Sequence, residues 1–324
     1  MFELAIANLL SPIILSFVLG LGAALARSDL SIPEAAAKAM SIYLLFAIGF
    51  KGGVAVAENG IDGQLLGTLA AGFALSALIP FVAFALLRVL SDLDALNAAA
   101  VAGHYGSISI VTFVASSSVI DAAGLAAEGF MVATAAIMEA PAILSALWLA
   151  SRSGSDSKGG MDAGLLREIL LNGSIVLLVG SFFIGLLTGS DGLDLIASFI
   201  VAPFQGVLCL FLLDMGLIAG RGLRETRGAL SAGTIVFGFL MPPIGALFGL
   251  GAGLLVGLST GGIALLMTLS ASASYIAVPA AMRVALPEAK PAIYLTLSLG
   301  ITFPFNLIIG IPLYLGVASA ITGG

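Results

Sequence analysis

Long apolar stretches separated by short polar clusters organise this chain from end to end. With about 20 apolar residues needed for one bilayer crossing, the pattern predicts ten helical spans. They lie near residues 4–26, 33–57, 64–90, 95–118, 128–150, 166–188, 193–220, 229–258, 261–283 and 291–320. The opening run is read as the first helix and not as a cleaved leader, because Met1-Phe2-Glu3 has no basic region and the apolar run is too long. The longest polar stretch, Ser151 to Asp162, is rich in Ser and Gly and reads as a flexible linker.

The spans repeat. An offset of about 163 residues carries Gly53 onto Gly216, Pro80 close to Pro242, Ser107 and Ser109 near Ser272 and Ser274, and Pro141 onto Pro304. Each half holds five spans, so the second copy enters the membrane from the opposite side, which is the inverted-repeat plan of secondary transporters. The expected fold is an all-α polytopic membrane protein of ten transmembrane helices. Residues 1–150 form the first five-helix repeat, 151–164 a cytoplasmic linker and 165–324 the second, inverted repeat. Substrate is expected between the copies.

Composition agrees with a life in the bilayer: 60% of residues are hydrophobic and 9% charged, and the mean hydropathy is +1.18. The net charge of −6 matters less than where the cations stand. Arg27, Lys38, Arg88, Arg152, Lys158, Arg167, Arg221, Arg224, Arg227, Arg283 and Lys290 fall on odd-numbered connections, while the even ones carry acids such as Glu58, Asp121, Glu128 and Asp191. The odd connections are therefore placed in the cytoplasm and both termini outside a bacterial inner membrane. Lys51 alone breaks the pattern. Cys209 sits inside a span, where one cysteine makes neither a disulfide nor a metal cluster.

Two polar clusters lie at midplane depth and are repeat partners: Gly-His-Tyr-Gly-Ser-Ile-Ser at 103–109 and Ser-Ala-Ser-Ala-Ser at 270–274. The plain reading of one serine in such a helix is a hydroxyl bonded back to its own backbone. Ser107 and Ser109, however, are two residues apart, so a regular helix would point them about 200° apart. Unwinding of the fourth and ninth spans would let both face one pocket, and Gly103, Gly106 and Pro279 ease it. Irregular backbone at this depth is tolerated only where it is buried or lines a cavity. Freed N–H groups and hydroxyls then suit an anion, and freed carbonyls a hard cation such as sodium. The candidate anion ligands are His104, Tyr105, Gly106, Ser107, Ser109, Ser270, Ser272 and Ser274. His104, the sole histidine, reads either as a neutral hydrogen-bonding residue or as a proton carrier.

Glu139 stands inside the fifth span beside Pro141, and its repeat partner is Thr302, followed by Pro304 and Asn306. An ionisable group there costs roughly 2.5–3.5 kcal/mol on insertion scales. Glu139, Thr302 and Asn306, with Thr112, make an oxygen-rich, singly anionic candidate set for sodium. The alternative for Glu139 is a structural hydrogen bond to His104 or Tyr105. Lys51 and Asp214 occupy equivalent positions of the two copies, but inversion sends them to opposite surfaces, which argues against a salt bridge between them.

The runs Ser31-Ile-Pro-Glu34, Phe50-Lys-Gly-Gly53, Gly103 to Ser109, Met138-Glu-Ala-Pro141, Ser270 to Ser274 and Thr302-Phe-Pro-Phe-Asn306, in this order on ten spans, resemble the sodium-dependent bicarbonate transporters of cyanobacteria and their proteobacterial relatives. The resemblance implies a homotrimer whose protomers have core and gate domains. It also implies symport of sodium with bicarbonate by alternating access, and inhibition by a PII-like signalling protein from the cytoplasm. The linker is shorter here than in the cyanobacterial members, and a His-Tyr pair stands where they carry bulky apolar residues. Another small monoanion remains an alternative substrate. A sodium/proton antiporter would call for midplane acids on the fourth and ninth spans, which have none. An enzyme has no motif to stand on: no His-Glu-x-x-His, no Gly-x-Gly-Asp and a single histidine. No cofactor beyond the coupling sodium is expected, and nothing supports nucleic-acid binding.

Overall fold

The computed structural model describes residues 10–60, 62–152, 171, 173–225, 230–275 and 277–323. The linker from residue 153 onward, with Lys158 and Arg167, and the residues around Arg227 lie outside the described residues, as does the start of the predicted sixth span. Among the described residues the chain is helical, without strands. Eight stretches among the described residues are long and apolar enough to cross a membrane, and two shorter apolar helices, Pro12–Leu25 and Thr260–Ala271, accompany them. This is a multi-pass membrane protein. Its outer face is apolar as lipid demands: Leu255 is 90% exposed and Leu187 and Leu195 are each 84% exposed.

The helices are α1 (Pro12–Leu25), α2 (Glu34–Asn59), α3 (Gly63–Leu90), α4 (Ala95–Gly106), α5 (Ile110–Ala122), α6 (Met131–Ile137), α7 (Ala140–Arg152), α8 (Gly173–Ile200), α9 (Phe204–Glu225), α10 (Ala232–Val256), α11 (Thr260–Ala271) and α12 (Ala277–Ala285). The last, α13 (Pro291–Thr322), contains two π-helical stretches, Thr296–Thr302 and Asn306–Gly310. Pro304 between them has no N–H to donate, which widens the turn. Short polar residues start the helices. Asp62 accepts from Leu65 N–H, Asp94 from Asn97 N–H, Ser231 from Thr234 N–H and Ser259 from Gly262 N–H. Gly257, at φ 76°, ends α10 in the left-handed conformation that L side chains resist.

The predicted boundary between the sixth and seventh spans, 166–188 and 193–220, is met at Gly189, whose non-helical backbone (φ 60°, ψ −154°) interrupts α8 in the polar run Gly-Ser-Asp-Gly at 189–192. A second helical piece then runs to Ile200 before α9 begins at Phe204, so the predicted seventh span is itself divided.

Two groups of helices pack separately. In one, α8 lies along α2 and α9 along α1, with a contact between α9 and α2. Backbones touch there. A Cβ on Gly53 would overlap the Phe182 carbonyl, and one on Gly216, 163 positions after Gly53, would overlap the Phe17 carbonyl. The other group gathers α3, α4, α5, α7, α10, α11 and α13. Hydrogen bonds tie it at both ends. Lys290 N–H donates to Asn97 Oδ1 at 2.8 Å at one end, and Ser259 N–H donates to Glu128 Oε1 at 2.6 Å at the other. The groups meet where α9 touches α13 and where α2 and α8 touch α6.

Prolines inside α3 and α10 redirect backbone bonds. Pro242 cannot donate to the carbonyl of Gly238 four residues earlier, and that oxygen instead accepts from Thr302 Oγ1 at 2.9 Å. Between α6 and α7 the Ser76 hydroxyl enters the ladder itself. It donates to the Met138 carbonyl at 2.5 Å and accepts from Ala142 N–H at 3.2 Å. A hydroxyl spliced into an i, i+4 pair is one of the recognised causes of a helix break.

Candidate functional site at the crossing of two interrupted helices

The fourth span stops at Gly106 and resumes at Ile110, and the ninth stops at Ala271 and resumes at Ala277. Ser107 (φ −87°, ψ 172°) and Ser272 (φ −83°, ψ 165°) are extended in the breaks. Each break is backed by its own neighbour. Gly106 sits against the ring of Pro80 in α3, and Gly245 in α10 sits against the carbonyl of Ser270.

The two breaks are bonded to each other. Ser274 N–H donates to the His104 carbonyl at 2.7 Å, and His104 Nδ1 meets the Ser274 carbonyl at 2.5 Å. Ser109 N–H donates to Ser272 Oγ at 2.9 Å, a bond between residues 163 positions apart. The Ser109 hydroxyl caps α5, accepting from Thr112 N–H at 3.2 Å and Thr112 Oγ1 at 2.8 Å. Ser274 Oγ accepts from Val278 N–H at 3.4 Å, and Ser272 Oγ donates to the Leu269 carbonyl at 2.8 Å. These serines spend their hydroxyls on the scaffold.

Other polar atoms have no such partner. Ser107 Oγ, Ser270 Oγ, His104 Nε2, Tyr275 Oη and Glu139 Oε2 are buried without a hydrogen bond, and none of the five residues is more than 9% exposed. Buried orphans are rare because leaving one unpaired is costly. Four of the five belong to the crossing. Ser107 and Ser270 are themselves repeat partners, 163 positions apart. The structure thus divides the sequence-predicted anion set. Ser107, Ser270 and His104 keep a free polar atom, whereas Ser109, Ser272 and Ser274 shape the crossing. Tyr105 turns away from the break, its hydroxyl 2.6 Å from Thr302 Oγ1 and its ring edge-on to Phe237 at 4.8 Å.

The sodium candidates are not drawn together by hydrogen bonds among the described residues. Thr302 is bonded to Tyr105 and Gly238. Asn306 donates to the Ala271 carbonyl at 2.8 Å and accepts from Tyr314 Oη at 2.9 Å. Thr112 is bonded to Ser109. Glu139, in the kink that Ser76 makes, keeps Oε2 free, and no hydrogen bond joins it to His104 or Tyr105.

Sequence reasoning placed Tyr275 at midplane depth with the second serine cluster but not among the ligands, and it left out Tyr294 and Ser76. Tyr275 follows the second serine cluster directly and is the repeat partner of Thr112, so its signal was present. Ser76 precedes Pro80 by four residues. Tyr294 stacks on the His104 ring (centroids 4.4 Å, 25°) across 190 residues of chain, and no local pattern announces it.

Two pockets flank the crossing without including it. One of about 300 Å3 is lined by Lys51, Ala55, Asp121, Glu128, Gly129 and Val132 with others of α2, α5, α6 and α9. The other, about 360 Å3, is lined by Ile218, Arg221, Gly222, Ala292, Leu295 and Thr296 among others. They sit at opposite ends of α9, since Phe204 and Gln205 line the first and Arg221 the second, on the order of 20 Å apart at 1.5 Å per residue. Lys51 Nζ stands 5.5 Å over the Phe204 ring at the first pocket, while Asp214 is buried. At the second end Arg221 donates to the Leu30 carbonyl and Arg224 to the Ala24 carbonyl, both at 2.9 Å.

Comparison with known families gives one match. The family model described as the Na+-dependent bicarbonate transporter superfamily matches residues 12–319. No curated protein matches the chain.

Proposed function

The chain belongs to the Na+-dependent bicarbonate transporter superfamily, a family of transporters and not of enzymes, and from that membership we propose that it is a secondary transporter driving bicarbonate inward with sodium by alternating access. The observation that carries this is the crossing, where buried hydroxyls without partners stand on two interrupted helices at matching positions of the two halves. Hydroxyls and backbone N–H groups suit a small planar oxyanion, and no arginine among the described residues is buried there to hold it too tightly to release. Moving a monoanion inward against an interior-negative potential costs about 2.3 kcal/mol per 100 mV, and one sodium cancels that term.

Ten transmembrane helices in two inverted five-helix repeats, 1–150 and 165–324, support the same mechanism. The pairing of α8 with α2 and of α9 with α1 is the exchange such a repeat requires. The two pockets agree with it as well: Ala55, Gly129 and Val132 of one stand 163 positions before Ile218, Ala292 and Leu295 of the other. In this reading α1, α2, α8 and α9 form the gate and the remaining helices the core, which carries the substrate between openings. Glu139 supplies the charge for sodium, and Thr302, Asn306 and Thr112 supply neutral oxygens that exchange their present hydrogen bonds for the ion. The protein sits in a bacterial inner membrane as a homotrimer with both termini outside. A PII-like partner would meet the cytoplasmic linker 151–164.

The test is uptake of labelled bicarbonate by proteoliposomes holding the purified protein, with and without an inward sodium gradient. Sodium-stimulated accumulation is expected. Equal uptake in sodium and in choline would remove the coupling.

A further inference from the structure

A carbonyl oxygen has no proton to give. The contact between His104 Nδ1 and the Ser274 carbonyl at 2.5 Å therefore keeps the proton of a neutral imidazole on Nδ1 and leaves Nε2 as a bare acceptor. That acceptor is buried and meets no donor. The ring is held on two more sides, stacked on Tyr294 at 4.4 Å and anchored through its own carbonyl to Ser274 N–H at 2.7 Å. His104 and Ser107 stand one helical turn apart at the end of α4. Ser107 Oγ and Ser270 Oγ, the other free groups of the crossing, are hydroxyls with one proton each to donate, while Tyr275 Oη faces the Ser109 side chain. Among these free atoms Nε2 is the one that can only accept.

We infer that the crossing selects small oxyanions that still carry one O–H, and that His104 Nε2 is the specificity-determining group that accepts that proton's hydrogen bond. The inference rests on the reading of the crossing as the anion site. Bicarbonate has this form: its two charge-bearing oxygens accept from the hydroxyls and its O–H donates to Nε2. Nitrate and formate are similar in size and charge but have no O–H, so binding them leaves Nε2 buried and unpaired. Sites built to pair a substrate hydroxyl reject analogues without it, and a preference of about 10- to 100-fold is expected.

The experiment is sodium-driven uptake of labelled bicarbonate, nitrate and formate, each against the others as competitors, by wild-type protein and two variants. His104→Asn keeps an N–H donor near the place of Nδ1 and removes the acceptor. His104→Gln places an amide oxygen near the place of Nε2. In the wild type, nitrate and formate should compete only at about 10- to 100-fold higher concentration than unlabelled bicarbonate. His104→Asn should raise the bicarbonate KM about tenfold and let nitrate and formate compete on nearly equal terms, and His104→Gln should recover much of the selectivity. If all three anions enter the wild type alike, the inference falls while the transport reading stands. If none enters under a sodium gradient, both fall. Equal selectivity in the Asn and Gln variants would show that His104 acts only as a strut between the breaks. The wild-type competition decides the selectivity even if a variant fails to insert.

Discussion

Serines of the same type, in the same two breaks, divide into two kinds. Ser107 and Ser270 give nothing to the fold, because their hydroxyls are unpaired. Replacing either with Ala should leave the melting temperature in detergent unchanged and raise the anion KM roughly tenfold or more, the worth of a hydrogen bond to a charged group, about 1.5–3 kcal/mol. Ser272→Ala should do the reverse first. It deprives the Ser109 N–H of its acceptor, and about 1 kcal/mol of stability should go with it, read as a lower melting temperature. Glu139→Gln should abolish uptake or raise the sodium concentration for half-maximal uptake without preventing insertion. Unchanged sodium dependence would take Glu139 out of the mechanism. The identity of these residues was legible in the sequence, since serines two apart cannot share one helical face. Which of them keeps a free hydroxyl was not, because the local bonds to Thr112, Leu269 and Val278 that occupy the other three depend on where each helix breaks and resumes.

At the scale of elements, the breaks follow from local chemistry and the packing lines from glycine. Apolar runs and midplane polar clusters announced where most helices lie and where two of them unwind. The break at Gly189 was legible in its polar run, whereas the π-helical stretches of α13 were not, because widened turns depend on tertiary contacts. The bond from Thr302 to Gly238 shows how one element prepares another. Pro242→Ala would restore an N–H for the Gly238 carbonyl and set it in competition with the Thr302 hydroxyl. The expected result is a folded protein with weakened transport, seen as reduced uptake per inserted molecule. Gly216→Val should fare worse, since its side chain would drive into the Phe17 carbonyl and part α9 from α1. Loss of folded protein on gel filtration is expected.

Across the whole molecule, the orientation proposed from the pattern of cations and acids puts the pocket with Lys51 outside and the one with Arg221 inside. Lys51 is the single basic residue among those lining the outer pocket, beside Asp121 and Glu128. Its charge should draw anions to the mouth, so Lys51→Gln is expected to raise the anion KM at low ionic strength, by a factor that shrinks as salt screens it. An effect independent of salt would refute long-range attraction. The two pockets also have an electrical meaning. In the proposed alternating access each admits solution from its own side, and neither is lined by a residue of the two breaks. On that reading the potential across the membrane falls chiefly over the layer of protein that holds the crossing. An ion bound there needs only a short displacement to traverse nearly the whole field.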